Sequence, residues 1–292
     1  ALVSAALGWM VASSGRRHIR QVTWVAASMS AKSLKERIPL APVPKELQQM
    51  VLSFNAMLSR LDDAFVRLSN FSADIAHELR TPVSNLMTHT EVVLSRKRNI
   101  EDYEDNLYSN LDDLKRMSRM IDDMLFLAKS DNGLITHESK PIDLVAVVEK
   151  LLEYYRLLAD ERGIELKVSG RGSVRGDVLM LHRAISNLLS NALRYTYEGT
   201  SISVDIQHKD ASVTVVVENY GEPIAPEHLE KLFDRFYRVD PARREGSPSN
   251  AGLGLSITRS IVEAHNGKIW CTSGDGKTAF HLEFPAVDST VS

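Results

Sequence analysis

From Leu47 onward, apolar side chains recur at alternating steps of four and three: Val51, Phe54, Leu58, Leu61, Phe65 and Leu68, with Ser72, Ile75 and Leu79 continuing the register. A heptad seam held over more than four repeats stays on one side only if the helix winds around a second helix that covers it. A parallel homodimer is therefore expected here. Pro82 is expected to interrupt this helix, and the apolar pattern resumes from Leu86 to Leu94. The polar break from Arg96 to Asn99 suits a hairpin turn. A second helix follows with Leu107, Leu111, Leu114, Ile121, Leu125 and Ala128, and Asp131-Asn132-Gly133 makes a good stop for it. Two antiparallel helices from each of two chains make a four-helix bundle.

Upstream, Ala1 to Ser14 is almost wholly apolar and gives way to Arg16, Arg17, His18 and Arg20. Such a run reaches roughly 21 Å at helical rise, short of a bilayer core, and its basic flank marks a cytoplasmic boundary. Residues 1–15 are thus expected to be the end of a transmembrane helix that begins before Ala1. The competing reading is a buried core helix or a signal-peptide remnant, which Trp9 in mid-run favours. Val22, Ala26 and Met29 suggest a further helix from Ile19, closed by a connector with Pro39, Pro42 and Pro44.

The pattern changes after Pro141. Asp143 can cap a helix running to about Arg162, a short strand with Ile164, Leu166 and Val168 follows, and Asp177 can cap another helix. Alternating strands around Ile202-Val204-Ile206 and Val213-Val215-Val217 come next. After a further helix, Ile269 to Cys271 and Phe280 to Phe284 flank the turn Asp275-Gly276. This half reads as helices on one face of a mixed or antiparallel sheet. A net charge of −3 over 292 residues gives no reason to expect nucleic acid as a partner, and a single cysteine excludes an intrachain disulfide and a Cys-based zinc site. The nine histidines are scattered and suggest no metal centre.

Two groups of residues carry chemistry. His77 lies two residues from both Ile75 and Leu79, about 200° around the helix from each, so its imidazole points away from the seam and can be reached. A neutral imidazole is a nucleophile at one nitrogen if the proton on the other is held, and Glu78 is the candidate holder. Thr81 shares the face of His77 and could position a water. Arg80 is equally well read as a solvated helix face or a phosphate contact. Further on, Asn187 and Asn191, four residues apart on a helix, can offer amide oxygens to a hard cation that keeps its own waters and phosphate ligands.

The stretch Ser72-Ala-Asp-Ile-Ala-His-Glu-Leu-Arg-Thr-Pro82 resembles the phosphoacceptor box of sensor histidine kinases, and Asn187-Leu-Leu-Ser-Asn-Ala-Leu-Arg-Tyr195 resembles their N box. Glu218-Asn-Tyr-Gly-Glu-Pro-Ile224 stands where that family has Asp-x-Gly-x-Gly, with Asn219 for the aspartate and Pro223 for the second glycine. Leu232-Phe-Asp-Arg-Phe-Tyr-Arg238 resembles the F box, and Gly252-Leu-Gly-Leu255 the second glycine box, with Asn250 at its first usual glycine. No P-loop is present. The ATP boxes resemble the superfamily shared with gyrase, heat-shock-90 chaperones and mismatch-repair ATPases, from which the phosphoacceptor box separates this chain.

The resemblance implies a multidomain chain: an all-α dimeric coiled coil and four-helix bundle in the N-terminal half, and an α/β two-layer sandwich of the GHKL ATPase type in the C-terminal half. The implied segments are a transmembrane end at 1–15, a HAMP-like linker at 16–68, a dimerisation and phosphotransfer hairpin at 69–133, a catalytic ATP-binding domain at 140–286 and a tail at 287–292. The implied roles are His77, Glu78 and Thr81 in catalysis, the Glu-x-x-Thr pattern going with phosphatase activity. Asn187, Asn191, Arg194, Tyr195, Asn219, Gly221, Phe233, Arg235, Gly252 and Gly254 would bind ATP, with Asn191 the Mg2+ ligand. The polar segment from Asp240 to Asn250, with Arg243, Arg244, Gly246 and Pro248, is expected to form a lid, a plain surface loop being the other reading. A protein-histidine kinase of this type implies a homodimer, a response-regulator receiver domain as partner, and a bacterial inner-membrane location with this portion in the cytoplasm. The phosphoacceptor and glycine-box wording looks most like copper and silver sensors. The rival reading is a non-catalytic dimeric signalling scaffold with a decayed nucleotide site, motivated by Asn219, Pro223 and Asn250.

Overall fold

The structure, a computed structural model, describes residues 35, 37–40, 45–135, 138–239 and 252–286. The expected membrane-spanning end, the first linker helix, the lid with Asn250 and the tail fall outside the described residues. Among the described residues, no helix is long and apolar enough to cross a membrane. The chain divides into two compact units, Ala1–Val83 and Ser84–Ser292.

Helix α1, Lys45–Leu94, runs for 50 residues across that division. The interruption expected at Pro82 does not occur, because the helix continues through it. Proline removes one bond, the one its amide would give to the Glu78 carbonyl, and the uninterrupted turns on either side carry that loss. In the first unit, Val51 and Leu58 of the heptad seam are fully buried, whereas Leu61, Phe65 and Leu68 of the same seam are exposed. Asn55 ties the chain before the helix to it, its side chain accepting from Ile38 N and donating to Ile38 O, both at 3.0 Å.

In the second unit, a turn at residues 95–99 leads into α2, Ile100–Asp131. Asn99 caps α2 by accepting from the Asp102 amide, and Gly133, at φ +63°, follows its end. Leu107, Leu111, Leu114, Ile121 and Leu125 form an exposed apolar series along α2, while Met120, Met124 and Leu127 are buried.

The remainder is the two-layer α/β domain. Strand β1, Lys140–Asp143, leads into α3, Leu144–Asp160, and β2, Glu165–Gly170, and β3, Ser173–Gly176, precede α4, Val178–Tyr195. Then come β4, Ser201–Lys209, β5, Ser212–Tyr220, the single turn α5, Pro226–Leu229, helix α6, Gly254–Ala264, and the hairpin of β6, Lys268–Gly274, and β7, Lys277–Pro285. The main sheet is mixed, in the order β2-β4-β5-β7-β6, with β2 parallel to β4 and the other pairs antiparallel. Strands β1 and β3 form a separate antiparallel pair.

Alternation along the strands places Ile202, Val204, Ile206, Val213, Val215, Val217, Phe280, Leu282 and Phe284 in one core with Leu144, Val148, Leu151, Leu181, Ile185, Leu188 and Val262 of the helices. Asp143 and Asp177 cap α3 and α4 as the sequence indicates, accepting from Val145 N and from Leu179 N and Met180 N. Helix α2 touches this domain at a polar seam. Arg183 of α4 pairs with Asp123 and lies 4.7 Å over the Phe126 ring, and Arg235 pairs with Asp131. Burial pushes the Asp123 carboxyl above the usual carboxylate range, against the opposing pull of Arg183.

Candidate active site

His77 lies on α1 with 60% of its side chain exposed, as its position off the seam requires. Its Nδ1 stands 3.7 Å from Oε1 of Glu78, close enough for electrostatic contact but longer than a hydrogen bond. Successive residues diverge by about 100° around a helix, which keeps the carboxylate to one side of the ring. Thr81, one turn on, is exposed.

The second unit holds a cavity of about 500 Å³ at the C-terminal end of α4. Its walls come from five stretches far apart in sequence. Helix α4 and the residues after it supply Asn191, Arg194, Tyr195, Thr196 and Tyr197, and the end of β5 and the following loop supply Asn219, Gly221, Glu222, Pro223 and Ile224. Leu232, Tyr237, Arg238 and Val239 line a third side, and Gly252, Gly254 and Leu255 open α6 beside Thr278 and Phe280 of β7.

Each wall is held by bonds that explain its sequence. Arg162, at the end of α3, donates to the carbonyls of Leu193 and Thr196 and so fixes the end of α4. Gly252 has φ +71°, and a Cβ there would lie 2.8 Å from Phe236 Cα. Phe236 is itself left-handed at φ +60° and donates its amide to Gly252 O at 3.0 Å. The Tyr237 hydroxyl is 2.6 Å from His228 Nδ1. Among the described residues, no side chain caps the amino end of α6, which suits its first amides to an anion.

Asn191, Arg194, Tyr195, Asn219, Gly221, Gly252 and Gly254 are all brought to this cavity. Asn187, Phe233 and Arg235 do not line it. Asn187 Nδ2 donates to Gly254 O at 3.0 Å and Thr258 Oγ1 at 3.4 Å, tying α4 to the first turn of α6. Phe233 is buried in the core, edge-on to Phe280, and Arg235 reaches Asp131. Sequence reasoning passed over Thr278 and Arg238 as site residues. Arg238 was visible as the last residue of the F-box stretch, whereas Thr278 reaches the cavity only through its cross-strand pairing with Asn219.

The volume lies within the roughly 300–1,000 Å³ of small-molecule sites. Two guanidiniums and an open helix amino end suit a polyphosphate, and the apolar walls of Ile224, Leu232 and Phe280 suit a flat base. The buried Asn191 offers a neutral oxygen donor, which is what a hard cation already carrying phosphate and water ligands requires. ATP with Mg2+ therefore fits the residues present.

Three families match in succession. Residues 10–63 match the HAMP domain, residues 67–133 the His Kinase A (phospho-acceptor) domain, and residues 176–288 the histidine kinase-, DNA gyrase B-, and HSP90-like ATPase. The chain belongs to the sensor histidine kinase family. Among curated members, it is 60% identical over 251 residues to sensor protein CopS of Pseudomonas syringae pv. tomato, covering 86% of this chain and 52% of that protein. It is 52% identical over 274 residues to sensor histidine kinase CusS of Escherichia coli strain K12, covering 93% of this chain and 57% of that one. These relatives place it with the heavy-metal sensor kinases. The chain spans about half the length of the curated relatives it matches. The fold is shared with histidine kinase AdeS of Acinetobacter baumannii, at TM-score 0.60 and 23% identity over 73% of this chain and 98% of that one. It is also shared with histidine kinase ThkA solved in complex with response regulator protein TrrA, at TM-score 0.63 and 21% identity over 78% of this chain and 65% of that one.

Proposed function

We propose that this chain binds MgATP in the α4–α6 cavity, transfers the γ-phosphoryl group to His77, and then passes it to an aspartate on a response-regulator receiver domain. The observation that carries the reading is the presence, in one chain, of a reachable imidazole beside a carboxylate and of a cavity built for a nucleoside polyphosphate. The Pγ–O bond to the β-phosphate breaks, an N–P bond to the imidazole forms, and ADP leaves with the electron pair. Glu78 steadies the protonated ring nitrogen so that the other attacks. Arg194, Arg238 and the amino end of α6 offset charge on the phosphates, and Asn191 holds the magnesium that screens them. Thr81 orients a water for the reverse task, removal of the phosphoryl group from the regulator.

The protein acts as a homodimer. Leu61, Phe65 and Leu68 on α1 and Leu107, Leu111 and Leu114 on α2 are exposed in the single chain, and a four-helix bundle between two copies would cover them. The match of residues 10–63 to the HAMP domain supports anchoring in a bacterial inner membrane, with this portion on the cytoplasmic side. The ThkA–TrrA complex supports a receiver domain as partner, and the relatives support a heavy metal as the stimulus.

The test is incubation of the chain with γ-labelled ATP and magnesium beside His77→Gln. Label that is stable to alkali, lost in acid and absent from His77→Gln is the expected result. Persistent label in His77→Gln, or no label in a wild-type chain that binds ATP, would overturn the assignment of the acceptor.

A further inference from the structure

Asn219 is only 4% exposed, yet it lines the cavity, and among the described residues no hydrogen bond engages its side-chain amide. Its amide thus faces the cavity and can bond a ligand placed there without breaking a bond to the protein. Among the described residues, the Thr196 hydroxyl at this cavity is also buried without a partner, whereas Thr278 is already committed. Thr278, opposite Asn219 across the strands, has its hydroxyl 2.8 Å from that of Ser273, which also accepts the Ile224 amide at 2.9 Å.

The site therefore meets its ligand with one free carboxamide, and a carboxamide carries an acceptor and two donors. Adenine presents a donor, its 6-amino group, beside the acceptor N1. Guanine presents the reverse, the acceptor O6 beside the donor N1–H. Rotating the Asn219 amide by a half turn matches either pair. No bond to protein pins it in one orientation, and the nearby Gly221 brings no side chain against it. A carboxylate in the same place would only accept, so it would pair with the 6-amino group and repel O6.

We infer that Asn219 makes the cavity indifferent to the group at purine position 6, so that GTP is bound as well as ATP. This rests on the nucleotide-binding reading above and deepens it.

The test uses the whole chain with magnesium and labelled ATP, displaced in turn by unlabelled ATP, GTP, ITP and CTP. GTP and ITP are expected to displace ATP with dissociation constants within about tenfold of that of ATP, whereas CTP should be far weaker, because its one-ring base carries the same donor–acceptor pair as adenine but, with its ribose and phosphates in place, falls short of the amide and leaves it unpaired. Asn219→Asp is expected to widen the ratio of GTP to ATP dissociation constants by at least about tenfold on the same ground. ATP bound but displaced by neither GTP nor ITP would overturn this inference and leave the kinase reading standing. No ATP bound by the wild-type chain would overturn both. An unchanged ratio in a folded Asn219→Asp would overturn the role given to the amide. Should that variant fail to fold, the wild-type displacement series decides by itself.

Discussion

Gly221 should be the glycine on which nucleotide affinity depends most sharply. A Cβ built there falls 2.5 Å from the carbonyl oxygen of Tyr195, about 0.9 Å inside the 3.4 Å at which ordinary contact begins. The clash cannot be relieved at a side-chain tip, because the atom struck is backbone. Gly221 N is held by Gly276 O at 2.9 Å and Tyr197 N by Tyr220 O at 3.0 Å, so either the end of α4 or the loop after β5 has to move. Both carry cavity residues, Arg194 and Tyr195 on one side and Asn219 on the other. Misplacing binding groups by about 1 Å costs up to about a hundredfold, so Gly221→Ala is expected to weaken ATP binding by about ten- to a hundredfold. Overpacking should also lower stability by about 1–3 kcal/mol. Calorimetric titration with MgATP reads the first effect and urea unfolding the second. Gly274→Ala, where an added Cβ meets nothing within 4 Å, serves as the control and should bind ATP as the parent does. A folded Gly221→Ala with parental affinity would refute the steric argument.

His265 and Cys271 allow further tests away from the cavity. His265 accepts the Asp177 amide at Nε2 and lies edge-on to Phe284, so His265→Ala should cost about 2–4 kcal/mol in urea unfolding through a cavity and an orphaned N–H; unchanged stability would count against that tie. Burial pushes the Cys271 thiol up to about 12, which leaves almost no thiolate at pH 8. Iodoacetamide should leave the folded chain unlabelled and label it fully in guanidinium, and rapid labelling of the folded chain would contradict the burial.

What could be read from the sequence was whatever depends on neighbours along the chain. The four-three spacing on α1, the caps Asp143 and Asp177 and the alternation on β4 and β5 are local signals, and the elements formed where they indicated. Pro82 was misjudged because the local rule counts the lost bond but not the long helix on both sides that absorbs it. Asn187 shows a finer limit. Four residues advance a helix by one turn and about 40° more. That offset, with α6 packed alongside, turns the Asn187 amide onto Gly254 O while Asn191 faces the cavity. Arg162 on the carbonyls of Leu193 and Thr196, and His265 on the Asp177 amide, join residues 31 to 88 apart, and no spacing rule reaches across such intervals.

The bond from the Phe236 amide to Gly252 O closes a neck. Phe236 and Gly252 are thereby fixed to each other on one wall of the cavity. Closure entropy rises only with the logarithm of length, about 0.6 kcal/mol for each doubling, so the sequence after Val239 and before Gly252 is free to lengthen, shorten or change composition at little expense to the sheet or to α6. Selection can then shape that span for the handling of nucleotide and protein partners while the fold beneath it stays constant. A single hydrogen bond between two left-handed residues thus holds this wall of the cavity in place whatever the length of the chain beyond Val239.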